Sequence, residues 1–201
     1  MNVQRRSLPV AVFVIALAAT VMALGLRIRT LEARNRGLMR RFTEPHPGML
    51  VPAFTTTSVS GDSILVGTPA GDLRQVVFFF TTTCGYCGAS LEQLRRLDAE
   101  LTSATGRSGA LLLIGLDSAE LVRRYADSLS LDVPVLTMPS LRLALLYRVR
   151  AVPQLMVIDS SGRAVFTRAG ALVTRASVDS VLTAVLGRPS AAVSGRFGVS
   201  D

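Results

Sequence analysis

Between Leu8 and Leu26 the chain reads LPVAVFVIALAATVMALGL, 19 residues without a charge. Inside lipid every backbone N–H and C=O must be bonded within the protein, so an isolated segment of this kind is restricted to an α-helix. At about 1.5 Å per residue the run just crosses a hydrocarbon core of roughly 30 Å. The leading expectation is an uncleaved membrane anchor over residues 8–26, behind a basic flank at residues 1–7. Arginines ahead of the run and small residues at Ala18, Ala23 and Gly25 also fit a cleaved signal peptide. A buried soluble helix is the weakest option, because a helix apolar on every side finds little cover in a domain this small.

Charge is concentrated at the same end. All 22 basic residues are arginines, and eight of them precede residue 42. From residue 45 onward 14 arginines meet 12 acids, so the rest of the chain is nearly neutral. The net charge of +8 therefore describes the N-terminal segment and makes no case for nucleic-acid binding. Arg5 and Arg6 precede the apolar run, whereas Arg27, Arg29, Arg34, Arg36, Arg40 and Arg41 follow it, partly offset by Glu32 and Glu44. Counted plainly, these flanks place the C-terminal domain in the cytoplasm. The stretch from Arg27 to Phe42 has helical character, with Leu31, Leu38 and Phe42 as scattered apolar points. It fits a solvated juxtamembrane spacer, or a helix lying on anionic lipid.

Pro45, Pro47, Gly48 and Pro52 end that helix and mark a linker, so residues 27–47 read as juxtamembrane helix and linker and 48–187 as the main domain. TTTSVSGDSILV, following Phe54, reads as a hairpin turning at Gly61-Asp62. Gln75 to Phe80 (QVVFFF), Ala110 to Leu116 and Leu155 to Asp159 are continuous apolar runs, the pattern of strands buried on both faces. Helical spacing is expected over Ser90–Ala104, Ala119–Leu129, Ser140–Tyr147 and Ser177–Leu186. A short extended segment is expected at Pro134–Leu136, and AVFTRAG, after the Ser160-Ser161-Gly162 turn, should return as a hairpin partner. Residues 188–201 read as a flexible tail. Strands alternating with helices predict an α/β fold: a central mixed sheet flanked by helices, with an N-terminal β-hairpin and one preceding transmembrane helix.

The chain has two cysteines, Cys84 and Cys87, in the run FTTTCGYCGASL between a buried strand and a helix. At the first turn of a helix, unpaired N–H groups and the dipole stabilise a thiolate, which makes Cys84 the expected nucleophile. Cys87, one turn on, is placed to resolve a mixed disulfide. Two cysteines exclude a multi-disulfide scaffold and a four-cysteine metal site. Zinc would need two more ligands, and the single histidine, His46, lies in the linker, so no metal is expected. The chain has no nucleotide- or flavin-binding glycine motif, so no cofactor is expected either. A second constellation is Val152-Pro153, followed by Gln154 and the strand. A cis proline facing Cys84 would leave the Val152 backbone open to a partner's extended chain.

In order and spacing, GMLVPAF (Gly48 to Phe54), the Ser60-Gly61-Asp62 turn, VVFFFTTTCGYC, IGLD (Ile114 to Asp117) and YRVRAVPQLMVIDSSGRAV (Tyr147 to Val165) resemble membrane-anchored bacterial thioredoxin-like proteins. These are extracytoplasmic thiol-disulfide oxidoreductases of the redoxin group, among them cytochrome c maturation proteins and the accessory protein of methylamine dehydrogenase maturation. The resemblance spans roughly residues 48 to 186. It implies a thioredoxin-like fold, a cis Pro153 beside the dithiol, and a domain outside the cytoplasmic membrane, against the arginine count. It also implies reduction of disulfides in exported client proteins, with electrons drawn from a membrane partner protein. The sequence departs from the family pattern at three places: Thr83 stands where tryptophan often precedes the first cysteine, Ser90 where an acid is common, and Phe78 where thioredoxins bury a carboxylate. Glu92 is then a secondary candidate for handling protons, although its place next to Leu91 and Leu94 fits better an exposed residue on the polar face of the helix, and Tyr86, between the cysteines, is a candidate for shaping the surface.

Two other readings compete. Thr81-x-x-Cys84 is similar to the threonine and cysteine arrangement of peroxiredoxins, although Val77 and Phe78 stand where their upstream proline is expected. A non-catalytic maturation or binding module, with the cysteine pair incidental, is the third.

Overall fold

The structure is a computed structural model and describes residues 4–71, 73–106, 108–129 and 132–187. It contains two compact units, residues 1–43 and 44–201. The first is one helix, α1 (Gln4–Thr43), which continues without a break from the apolar run through the arginine-rich stretch. Within it Val12–Asn35 has a mean hydropathy of 1.9, long and apolar enough to cross a membrane once. Its large apolar side chains, such as Phe13, Ile15 and Met22, are exposed all round, as a lipid-facing helix requires. The expected tail at 188–201 and the first three residues of the basic flank lie outside the described residues.

The second unit carries β1 (Phe54–Thr57), β2 (Ser63–Val66), β3 (Gln75–Phe80), α2 (Gly85–Thr105), β4 (Leu111–Gly115), α3 (Ala119–Leu129), β5 (Val135–Thr137), α4 (Leu141–Leu146), β6 (Gln154–Ile158), β7 (Ala164–Ala169) and α5 (Arg175–Val185). β1 and β2 form the antiparallel hairpin; the other five make one sheet in the order β5-β4-β3-β6-β7. β3, β4 and β5 run parallel, while β6 and β7 are antiparallel. The fold is therefore the expected thioredoxin-like mixed sheet covered by helices.

β3 is central, and all six of its residues are buried, which explains a run with no polar alternation. Its even-numbered side chains, Phe78 and Phe80 among them, pack under α2, α3 and α5 with Leu94, Leu97, Val122 and Val181. Val77 and Phe79 face the other way, onto Met49, Val51, Val66 and Tyr147. Tyr147 is fully buried, donates to the Pro52 carbonyl at 2.8 Å and meets Phe54 and Phe79 edge-on. Gln75 joins the hairpin to β3: its Oε1 accepts from Gly67 N–H at 2.9 Å and its Nε2 donates to Leu65 O at 3.0 Å. α2 ends at Gly106, whose left-handed φ of 67° lets its N–H reach Thr102 O.

α2 begins at Gly85 with Cys84 as its N-cap, so the cysteine stands at the start of the helix as expected, although the apolar spacing that reveals the helix in the sequence begins only at Ser90 because CGYCGA has no apolar period. The last residues of the expected linker are already tied to the domain, with the Thr167 hydroxyl donating to Pro45 O at 3.3 Å, and the segment that follows is paired as part of it: Gly48 N–H donates to Ala164 O, Ala164 N–H to Met49 O and Val51 N–H to Gly162 O, with Met49 and Val51 buried.

Candidate active site

The dithiol sits where β3 hands over to α2. Cys84 is the N-cap of α2, with extended φ and ψ of −82° and 108°, and its carbonyl accepts from Cys87 N–H at 3.0 Å and Gly88 N–H at 3.2 Å. Its own N–H donates to Thr81 O at 3.2 Å, which closes the turn between strand and helix. Cys84 is half-buried and Cys87 only 1% exposed. This asymmetry gives one sulfur to solvent and keeps the other one turn behind it. Burial pushes the Cys87 thiol up to about 12, helped by its hydrogen bond to Cys84 and by the charges of Cys84 and Asp117, and opposed by the Thr81 main chain.

The Val152-Pro153 bond is cis, as the resemblance implied. The Cys84 thiol lies 3.7 Å from the Val152 carbonyl, so the loop before β6 borders the sulfur directly. The other expected residues divide. Thr83 and Tyr86 are exposed beside the pair, Tyr86 at 72%. Glu92 stands apart, on the exposed face of α2, in an ion pair with Arg96 at 2.6 Å, and is not among the charges acting on Cys87. His46, in the expected linker, lies 2.9 Å from the Arg148 guanidinium.

Two residues near the dithiol, Asp117 and Tyr125, escaped the sequence reading of the site, and a third, Ser90, was noted only as standing where an acid is common. Asp117, at the end of β4, accepts from Thr82 N–H at 2.6 Å. Ser90, fully buried, donates to Tyr86 O at 2.9 Å and accepts from Leu172 N–H at 3.0 Å, so the loop after β7 is tied to the first turns of α2. Tyr125 of α3 packs on Phe80 with ring centroids 5.5 Å apart, and its hydroxyl is pushed up by burial and by the two cysteines. The polar end of IGLD was the visible signal for Asp117. Nothing local marked Tyr125, or the bond that Ser90 makes to Leu172.

Comparison with known proteins gives the family. The Redoxin family model matches residues 46–185. The chain belongs to the redoxin family. Among solved structures, this redoxin is similar to StoA from Bacillus subtilis, with 17% identity, 69% of this chain and 98% of that one covered, and a TM-score of 0.56. It is similar also to the thioredoxin domain of a thiol-disulfide oxidoreductase from Bacteroides vulgatus, at 16% identity, 70% and 98% coverage and a TM-score of 0.55. Peroxidoxin BcpB from Mycobacterium tuberculosis aligns at 18% identity, 73% and 100% coverage and a TM-score of 0.57. At such identities the likeness is one of fold. No curated protein matches.

Proposed function

We propose that this redoxin is a membrane-anchored protein-disulfide reductase that acts on exported client proteins through Cys84 and Cys87. The observation that carries the reading is the unequal burial of the pair beside the Val152 carbonyl: a reachable sulfur at a helix start, and a sequestered one a turn away. In the cycle, the Cys84 thiolate attacks a client disulfide and one client sulfur leaves as thiolate. Cys87 then loses its proton to solvent and attacks Cys84 Sγ, releasing the second client thiolate and leaving the Cys84–Cys87 disulfide. The client gains two electrons and the redoxin loses them, so a membrane donor protein must restore the dithiol. Residues 48–187 form the catalytic domain in this reading, α1 holds it at the bilayer, and the domain lies on the extracytoplasmic side, where exported clients are found.

Full-length protein in detergent, supplied with dithiothreitol, should reduce insulin disulfides. Cys84→Ser should abolish turnover and Cys87→Ser should accumulate a mixed disulfide. Full activity in Cys84→Ser overturns the proposal. A reduction potential near −270 mV supports a reductase, and one near −120 mV reverses the electron flow. Hydrogen peroxide consumption faster than insulin reduction selects the peroxidase reading, and a reporter fused after residue 45 reads the side of the membrane.

A further inference from the structure

The proposed cycle needs Cys84 to attack first and Cys87 to wait, yet the two positions where the resemblance led us to expect a carboxylate hold Phe78 and Ser90. Glu92 is turned away in its ion pair with Arg96. The register of the parallel strands places a different acid at the dithiol. β3 and β4 pair with Phe80 opposite Gly115, and Leu116 N–H donates to Phe80 O at 3.0 Å. Two residues beyond that pair, Thr82 and Asp117 meet at the carboxyl ends of adjacent strands, and the Asp117 Oδ2 receives the Thr82 N–H at 2.6 Å. The bond is short and charge-assisted. It closes the same turn that Cys84 N–H closes on Thr81 O, so the carboxylate fixes the residues leading directly into the α2 N-cap.

We propose that Asp117 is the positioning residue of the dithiol: through Thr82 it fixes the turn that presents Cys84, and it holds a negative charge at that turn, two residues before the α2 N-cap. The Asp117 charge is one of those that push the Cys87 thiol up, after burial and the Cys84 hydrogen bond. The inference rests on the dithiol cycle proposed above. Neither effect requires Asp117 to touch substrate, and Cys87 gives its proton to solvent.

The test uses full-length reduced protein and the aromatic disulfide 5,5′-dithiobis(2-nitrobenzoate). Cys84 attack releases one thionitrobenzoate; attack by the Cys87 thiolate on Cys84 Sγ releases the second, and the two phases are read separately across pH. Asp117→Asn keeps an oxygen for Thr82 N–H and removes the charge, whereas Asp117→Ala removes both. The expected result is a second phase several-fold faster at neutral pH in Asp117→Asn, with amide exchange over residues 81–84 unchanged. In Asp117→Ala exchange over the same residues should rise at least about tenfold, the loss of a hydrogen bond worth over about 1.4 kcal/mol. A second phase in Asp117→Asn that superimposes on the parent at every pH overturns the proposal, and so does unchanged exchange in Asp117→Ala. Should Asp117→Ala not fold, Asp117→Asn alone decides the charge. Insulin reduction by the parent is scored separately: its absence sinks the reductase reading while leaving the two phases interpretable.

Discussion

Ser90→Ala removes one oxygen at a point where two parts of the domain 82 residues apart are joined. The Ser90 hydroxyl is fully buried, donating to Tyr86 O and accepting from Leu172 N–H, and Leu172 is itself fully buried. After the change, the Tyr86 carbonyl keeps its place in the helical ladder, so its loss is small. The Leu172 N–H has no such recourse: a buried donor stripped of its acceptor costs about 1–3 kcal/mol. For a domain of this size each kcal/mol lowers Tm by about 3 °C, so the expected fall is about 3–9 °C. Thermal melting of full-length protein followed by circular dichroism measures it, and hydrogen exchange localises it: the Leu172 amide should exchange at least about tenfold faster, with the amides of β3 little changed. A Tm within about 1 °C of the parent, together with a still-protected Leu172 amide, would refute the assignment of that bond as a clamp.

Two more expectations follow from the same core. Burial, the largest cause that raises the Cys87 thiol, persists in the mixed disulfide, where Cys84 carries neither thiol proton nor charge; Cys87 is still protonated at neutral pH and its reactive thiolate grows as pH rises, so the resolving step should accelerate from pH 6 to 8, read by stopped-flow release of thionitrobenzoate, and a plateau below pH 8 would contradict it. Gly115→Ala would drive a Cβ into one Val122 methyl, 3.0 Å from the other and 3.3 Å from the Phe80 ring, so α3 must move off the sheet at a cost of about 1–3 kcal/mol, measured by urea unfolding; an unchanged midpoint would show that Val122 rotates away freely.

The strands were legible because burial on both faces leaves a one-sided composition: QVVFFF is β3 to the residue, and Ala119–Leu129 is α3 to the residue. The cysteine pair was legible because its spacing and its place between strand and helix are local. What stayed hidden depends on register. Thr82 and Asp117 are 35 residues apart and meet only because Phe80 pairs with Gly115; Ser90 and Leu172 meet only because α2 lies beside the loop that follows β7. A sequence read segment by segment sees a polar residue at a strand end and a serine in a helix, each of which has a dozen ordinary explanations. Glu92 is the converse case: it is near the pair in sequence, but its place beside Leu91 and Leu94 also fits the polar face of the helix, and that is where it stands, paired with Arg96.

These same contacts bear on why the site tolerates Phe78 and Ser90. An apolar Phe78 lets β3 be buried throughout, with no ionisable group in that strand and none of the desolvation cost that a buried carboxylate carries. The electrostatic influence on the dithiol then moves to the half-buried rim, where Asp117 is solvated and already anchored by a backbone donor. A hydroxyl at position 90 satisfies Leu172 N–H without charge, which a carboxylate at the same fully buried place could do only by bringing a negative charge next to a thiol that burial already holds protonated. Placing an acid there by Ser90→Glu should therefore slow the resolving step further, rather than restore a missing function.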